Sequence, residues 1–154
     1  PMIAVAADSV DSHELKSPRS YDIKEIALIG TLLGVVSTVF DFIFFALFYK
    51  ISPQVLQTNW FMGSVLTELL FLISIRTPLP IWKASKPAGI LILLSGIAFI
   101  SGIYLPFTEV GHTIFSFITP SANHVYTIIF IACSYLVTTE AVKLLYYHYI
   151  KPSR

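Results

Sequence analysis

Four long apolar runs divide the chain, each closed by a short polar stretch. The first, residues 26–49, reads IALIGTLLGVVSTVFDFIFFALFY and carries one charge, Asp41. As a helix it would be about 36 Å long, enough to cross a hydrocarbon core of about 30 Å with some tilt. A buried helix of a water-soluble domain rarely runs so far without a polar face. The second run, 60–75, is apolar apart from Ser64, Thr67, Glu68 and Ser74. The third, 88–105, has no charge, and the fourth, 125–147, has Glu140 and Lys143 near its end. The pattern predicts an all-α integral membrane bundle of four transmembrane helices.

The connecting stretches supply orientation. Residues 1–7, PMIAVAA, form an apolar strip too short to span, and residues 8–25 are polar, with Pro18 interrupting any helix there. Residues 1–25 therefore read as the end of a membrane helix plus a linker, and 26–154 as the four-helix domain. Pro53 punctuates a loop over 50–59, and a longer loop over 107–124 holds Glu109, His112 and His124. With four spans, Lys16, Arg19, Lys24, Arg76, Lys83, Lys86, Lys143, Lys151 and Arg154 fall on one side, and Lys50 alone on the other. Basic residues mark the cytoplasmic face, so both ends are expected in the cytoplasm, in a plasma membrane protein. Trp60, Trp82, Tyr104, Tyr146 and Tyr147 sit at predicted membrane ends, where amphipathic rings favour the headgroup layer.

Composition narrows the functions. The 154 residues are 55% hydrophobic and only 12% charged, against about a quarter charged in soluble domains. Mean hydropathy is +0.75. A net charge of +1 gives no footing for nucleic acid. The single cysteine, Cys133, cannot form an internal disulfide and reads as a small apolar residue. There is no glycine-rich phosphate loop, no phosphorylatable Asp-Lys-Thr-Gly and no soluble domain for a nucleotide. The chain alone is expected to hydrolyse nothing. It opens at Pro1 without methionine or a signal-peptide layout, as expected of a piece of a longer protein.

Helices in lipid associate through close packing and polar contacts, so small and polar residues should mark the packed faces. Gly30, Gly34, Ser37, Thr38 and Asp41 share one face of the first span; Ser64 and Glu68 share one of the second. Gly89 with Gly96, and Ser95 with Gly102, recur along the third; Thr127, Ser134 and Thr138 line the fourth. Asp41 and Glu68 each cost about 2.5–3.5 kcal/mol when charged at a helix centre. They are expected to face the bundle interior or a wet cavity, and Glu68 is the stronger candidate. Two readings stand: a carboxylate on an ion path, or one that bonds a neighbouring helix. Glu140 and Lys143 read as an ordinary interfacial i, i+3 pair. His112 and His124, without an acid or cysteine cluster, make a poor metal site.

Several short stretches, taken in order, resemble the C-terminal membrane region of P-type ATPases. Asp8-Ser9-Val10-Asp11 is similar to the turn after the sixth membrane helix in the magnesium-transporting branch, and Pro18-Arg19-Ser20-Tyr21 to the stretch beyond it. Ser37-Thr38-Val39-Phe40-Asp41 resembles a seventh-helix motif of that branch. Trp60-Phe61 and Arg76-Thr77 resemble the two ends of the eighth helix, and the run from Gly102 to Phe107 the end of the ninth. Met2-Ile3-Ala4-Val5-Ala6 also resembles the proton-pumping branch; Asp11 places the magnesium branch first. The resemblance implies that the four spans are helices seven to ten, behind a stump of the sixth. It implies a main transport acid before Pro1, with ATP and Mg2+ serving the full-length parent. Glu68 lies at a depth similar to that of an eighth-helix ion-binding Glu of related calcium pumps.

The expected function is thus that of a membrane piece that braces and partly lines the ion pathway of an ATP-driven cation pump. Its partners would be the lipid bilayer, the other helices and cytoplasmic domains of the pump, and the transported cation. A self-standing four-helix carrier or membrane scaffold is the alternative. The small proton-coupled drug exporters fit less well, because they carry an essential Glu in the first span where this chain has Asp41.

Overall fold

The computed structural model describes residues 23–77 and 79–149, with Glu25 and Ile26 as backbone only. The expected helix stump and most of the linker, and the tail after 149, lie outside the described residues. Five α-helices follow in order: α1 (Ile23–Phe48), α2 (Pro53–Ile75), α3 (Gly89–Tyr104), α4 (Glu109–Phe115) and α5 (Ala122–Tyr149). Short 3-10 turns lie at Ile81–Lys83 and Leu105–Phe107, and no strand occurs among the described residues. Four helical stretches are long and apolar enough to cross a membrane: Ala27–Phe48, Pro53–Ile75, Gly89–Phe107 and Ala122–Tyr149.

Two connections differ from the sequence reading. The helix of the second span starts at Pro53, before the apolar run begins at Trp60. Ser52 is its N-cap, accepting a hydrogen bond of 3.1 Å from the Val55 amide, and Pro53 sits in the first turn, where its missing N–H costs nothing. Pro53 thus opens a helix rather than punctuating a loop. The stretch 107–124 is also not all loop, since α4 lies within it. Thr108 caps α4 by accepting from the Gly111 amide at 3.1 Å, and Ser116 ends it in the left-handed conformation at φ 55°. A side chain at Gly111 would collide with the Leu105 carbonyl, so glycine lets α4 fold back beneath the end of α3.

Contacts fix the helix directions. Phe44 of α1 covers Gly63 of α2, where any Cβ would strike the ring. Val65 of α2 fills the space above Gly102 of α3. Ser37 of α1 meets Tyr135 of α5. Asn59 and His124 pair near the starts of α2 and α5, and Ser74 and Glu140 near their ends, so these two helices run parallel. α1 runs against both, and α3 against α2. Among the described residues, Lys24, Arg76, Lys83, Lys86 and Lys143 gather at one end of the bundle and Lys50 at the other.

α1, α2 and α5 enclose the core, a cluster of Phe44, Phe48, Val55, Met62, Ile128 and Ile131. α3 leans on the outer side of α2 through Leu72 and Leu91. Large apolar side chains such as Phe42, Ile100, Phe130 and Val137 point outward, at 65–73% exposure. Such a coat suits hydrocarbon rather than water.

The small-residue faces are used selectively. Cβ atoms built at Gly30, Gly34, Gly89 and Gly96 would meet nothing within 4 Å, so those glycines hold no other helix among the described residues. Thr38, Thr127, Ser134 and Thr138 each bond the carbonyl four residues back in their own helix rather than another helix. Ser37 crosses to a neighbour, and Gly63, which periodicity did not single out, makes a close contact.

Candidate functional site

The two intramembrane carboxylates line one cleft. Ser37 and Asp41 come from α1, Trp60, Ser64, Thr67 and Glu68 from α2, and Tyr135 from α5, around a volume of about 220 Å³. Helical spacing explains the convergence. Positions 37 and 41 are one turn apart on α1; 60, 64, 67 and 68 repeat every three or four residues on α2. The Trp60 indole N–H donates to Asp41 Oδ1 at 3.1 Å, and the hydroxyls of Ser37 and Tyr135 share a bond of 2.8 Å. Thr67 donates to the Gly63 carbonyl at 3.0 Å and the Ser64 carbonyl at 3.1 Å, which leaves its oxygen free to accept.

Asp41 and Glu68 are both exposed on this chain. Glu68 also borders a second, less polar cleft of about 300 Å³ with Phe61, Val65, Ala98, Ser101 and Gly102. It stands on a ridge between α1 and α3 and is reachable from both sides. Two carboxylates and four hydroxyls provide oxygen ligands for a cation or sites for a proton. No group of three or more His, Cys, Asp or Glu residues gathers as a metal cluster among the described residues.

The histidines have other work. His112 Nδ1 bonds the Phe117 carbonyl at 2.7 Å, within the α4 turn. The Asn59 amide meets His124 Nδ1 at 3.2 Å, and that ring also packs edge-on against Phe48. Together with Gln57 donating to the Phe115 carbonyl and Thr58 accepting from the Ile118 amide, these bonds tack the 107–124 stretch onto the start of α2.

A second polar cluster replaces the expected interfacial pair. Glu140 and Lys143 are 7% and 1% exposed, so they are not a solvated i, i+3 pair at the surface. Lys143 Nζ donates to Glu140 Oε1 at 2.6 Å, to the Ser74 carbonyl at 2.8 Å and to the Leu79 carbonyl at 3.0 Å, using all three ammonium protons. Glu140 Oε1 also accepts from the Ser74 hydroxyl at 2.5 Å, and Oε2 from the Ile81 amide at 3.3 Å. The cluster welds α5 to the last turn of α2 and to the chain that leaves it. Spacing alone could not reveal this, since the partners are mostly backbone atoms about sixty to seventy residues away. Ser74, a hydroxyl in an otherwise apolar last turn, was the available signal.

Four membrane-crossing helices with alternating directions define an integral membrane protein. The profile of the family described as "Cation transporting ATPase, C-terminus" matches residues 1–145, and the chain belongs to that family. It is similar to the "Magnesium-transporting ATPase, P-type 1" of Salmonella typhimurium (strain LT2), 28% identical over 111 residues, which are 68% of this chain and 12% of that protein. It is also similar to the protein of the same name from Escherichia coli (strain K12), 24% identical over 151 residues, 94% of this chain and 17% of that protein. The chain therefore spans under a fifth of the length of these relatives.

Proposed function

We propose that the chain is the closing membrane portion of an ATP-driven magnesium pump, and that the Asp41–Glu68 cleft lies on the ion's route. In this reading residues 1–25 are the end of a preceding membrane helix and a linker, and 26–154 are helices seven to ten. ATP and its Mg2+ act on domains outside these residues, and the ends carrying most Lys and Arg face the cytoplasm of a plasma membrane. Family membership and the names of the relatives support the pump and its cargo.

The observation that carries the cleft's role is the convergence of both intramembrane acids on one polar surface. Acids in a membrane usually mark an ion or proton path. Magnesium gives up its water reluctantly and is typically held through one or two carboxylates, with waters kept. A cleft with two carboxylates and several hydroxyls suits a partly hydrated ion of this kind. Glu68, bordered by two clefts, is the better placed ligand; Asp41 already accepts from Trp60.

The test is cation-stimulated turnover of the full-length pump. Glu68→Ala should raise the magnesium concentration for half-maximal turnover several-fold while membrane insertion is kept. Glu68→Gln should be nearly as severe if the charge binds the ion. Unchanged magnesium dependence in both variants would remove Glu68 from the pathway. Cysteines at Ser85 and Ser121 should label from opposite sides of the membrane, Ser85 from the cytoplasm; labelling of both from one side would overturn the topology.

A further inference from the structure

The Glu140–Lys143 cluster is an expensive way to join two helices. Both charges give up their solvation, and a buried pair of this kind often holds a fold no better than apolar residues of similar volume would. What it has that an apolar contact lacks is directionality. It engages the Ser74 carbonyl, the Leu79 carbonyl and the Ile81 amide, atoms on both sides of the chain reversal that ends α2. Four hydrogen bonds with fixed donors and acceptors leave α5, two for Ser74 of α2 and two for the chain just beyond it, and admit one axial position of α2 against α5. Leucine-like contacts would tolerate a slide.

The cleft depends on that position. Glu68 lies six residues before Ser74, about 9 Å back along the same rigid helix. Asp41 is placed by a separate pin on the same partner helix, the Ser37–Tyr135 bond, five residues before Glu140. α5 thus acts as the common rule for α1 and α2. We propose that Glu140 and Lys143 are positioning residues: they set the axial register of α2 and so hold Trp60 and Glu68 on the cleft that Asp41 lines. The effect on cations rests on the ion-pathway reading above; the positioning itself does not.

Trp60 reports the register directly, because its indole bonds Asp41 across the α1–α2 boundary. The chain has two tryptophans, so Trp82→Phe leaves Trp60 as the only one. In that background the double variant Glu140→Leu with Lys143→Met removes both charges together and leaves no orphaned ion. It should insert and still unfold as one unit, at a temperature somewhat below its parent's, because apolar replacement spares the ion pair's desolvation but leaves the Ser74 and Leu79 carbonyls and the Ile81 amide without these partners. Its Trp60 emission should nevertheless shift, and quenching by acrylamide should rise about twofold as the indole loses its carboxylate partner. Lys143→Arg, which keeps the charge and the donors, should retain more of the parent's emission than the double variant does.

Unchanged Trp60 emission and quenching in a folded double variant would overturn the proposal. Failure of the double variant to fold would also overturn it, since the pair would then supply stability rather than register. In the full-length pump, the same double variant should raise the half-saturating magnesium concentration with maximal turnover largely kept. A clear Trp60 shift with no change in magnesium dependence would leave the positioning role standing and remove the cleft from the ion path.

Discussion

Two acidic sites in one bundle are treated in opposite ways. At Glu140 the carboxylate itself is fully engaged: a lysine, a serine hydroxyl and a backbone amide converge on it, and it is 7% exposed. At Asp41 and Glu68 the carboxylates border an open cleft, with an indole on Asp41 and hydroxyls nearby. A closed network in a low-dielectric interior rigidifies, because each group would be left costly and unpaired by any movement. An open one keeps coordination sites available for whatever arrives from outside these helices. The contrast separates a joint from a site. Both lie within helices of the same family domain, so residue type and hydropathy do not distinguish them.

The contrast can be broken by substitution. The largest effect is expected from Lys143→Met alone, which strands the Glu140 carboxylate; breaking a buried pair on one side costs about 3–5 kcal/mol. Thermal or denaturant unfolding of the inserted chain should register the loss. Near-parent stability would show that Glu140 finds water or a proton at no cost, and the joint would then be no more closed than the cleft.

Glu68→Leu should act with the opposite sign. Replacing a membrane carboxylate with leucine should favour insertion of α2 by about 3 kcal/mol on a translocon scale. A glycosylation-reporter insertion assay reads this directly. Destabilisation by Glu68→Leu would mean that the open cleft holds the bundle together after all.

Asp41→Asn is the mildest of the three. The amide oxygen can still accept from Trp60, so the loss should stay below about 1 kcal/mol, the usual net worth of one hydrogen bond. The readout is unfolding in the same detergent or vesicle. A large loss would assign the ionised carboxylate a structural partner and move Asp41 into the same category as Glu140.

Hydropathy alone determined a good deal. Helices in lipid must satisfy their own backbone hydrogen bonds, so a long apolar run has one available conformation and its length sets its span. That local rule made the four crossing helices, their alternation and, among the described residues, the clustering of basic residues at one end readable without a structure. Short motifs around Asp41, Trp60 and Gly102 carried the family likeness, because they are contiguous. Helical periodicity also placed Ser64, Thr67 and Glu68 on one side of α2.

What only the tertiary structure decided was which faces meet. Several small-residue stripes looked alike in sequence, yet among the described residues Gly30 and Gly34 touch no other helix while Gly63 takes the full ring of Phe44. Most hydroxyls expected to bridge helices turned back onto their own carbonyls. Glu140 and Lys143, three residues apart and interfacial by spacing, became buried through Ser74, Leu79 and Ile81 in a distant stretch. Pairing across helices depends on rotation and axial offset, which neither composition nor period encodes. A carboxylate three residues from a lysine is therefore the same sequence signal whether it ends in water or in the joint that sets a helix's register.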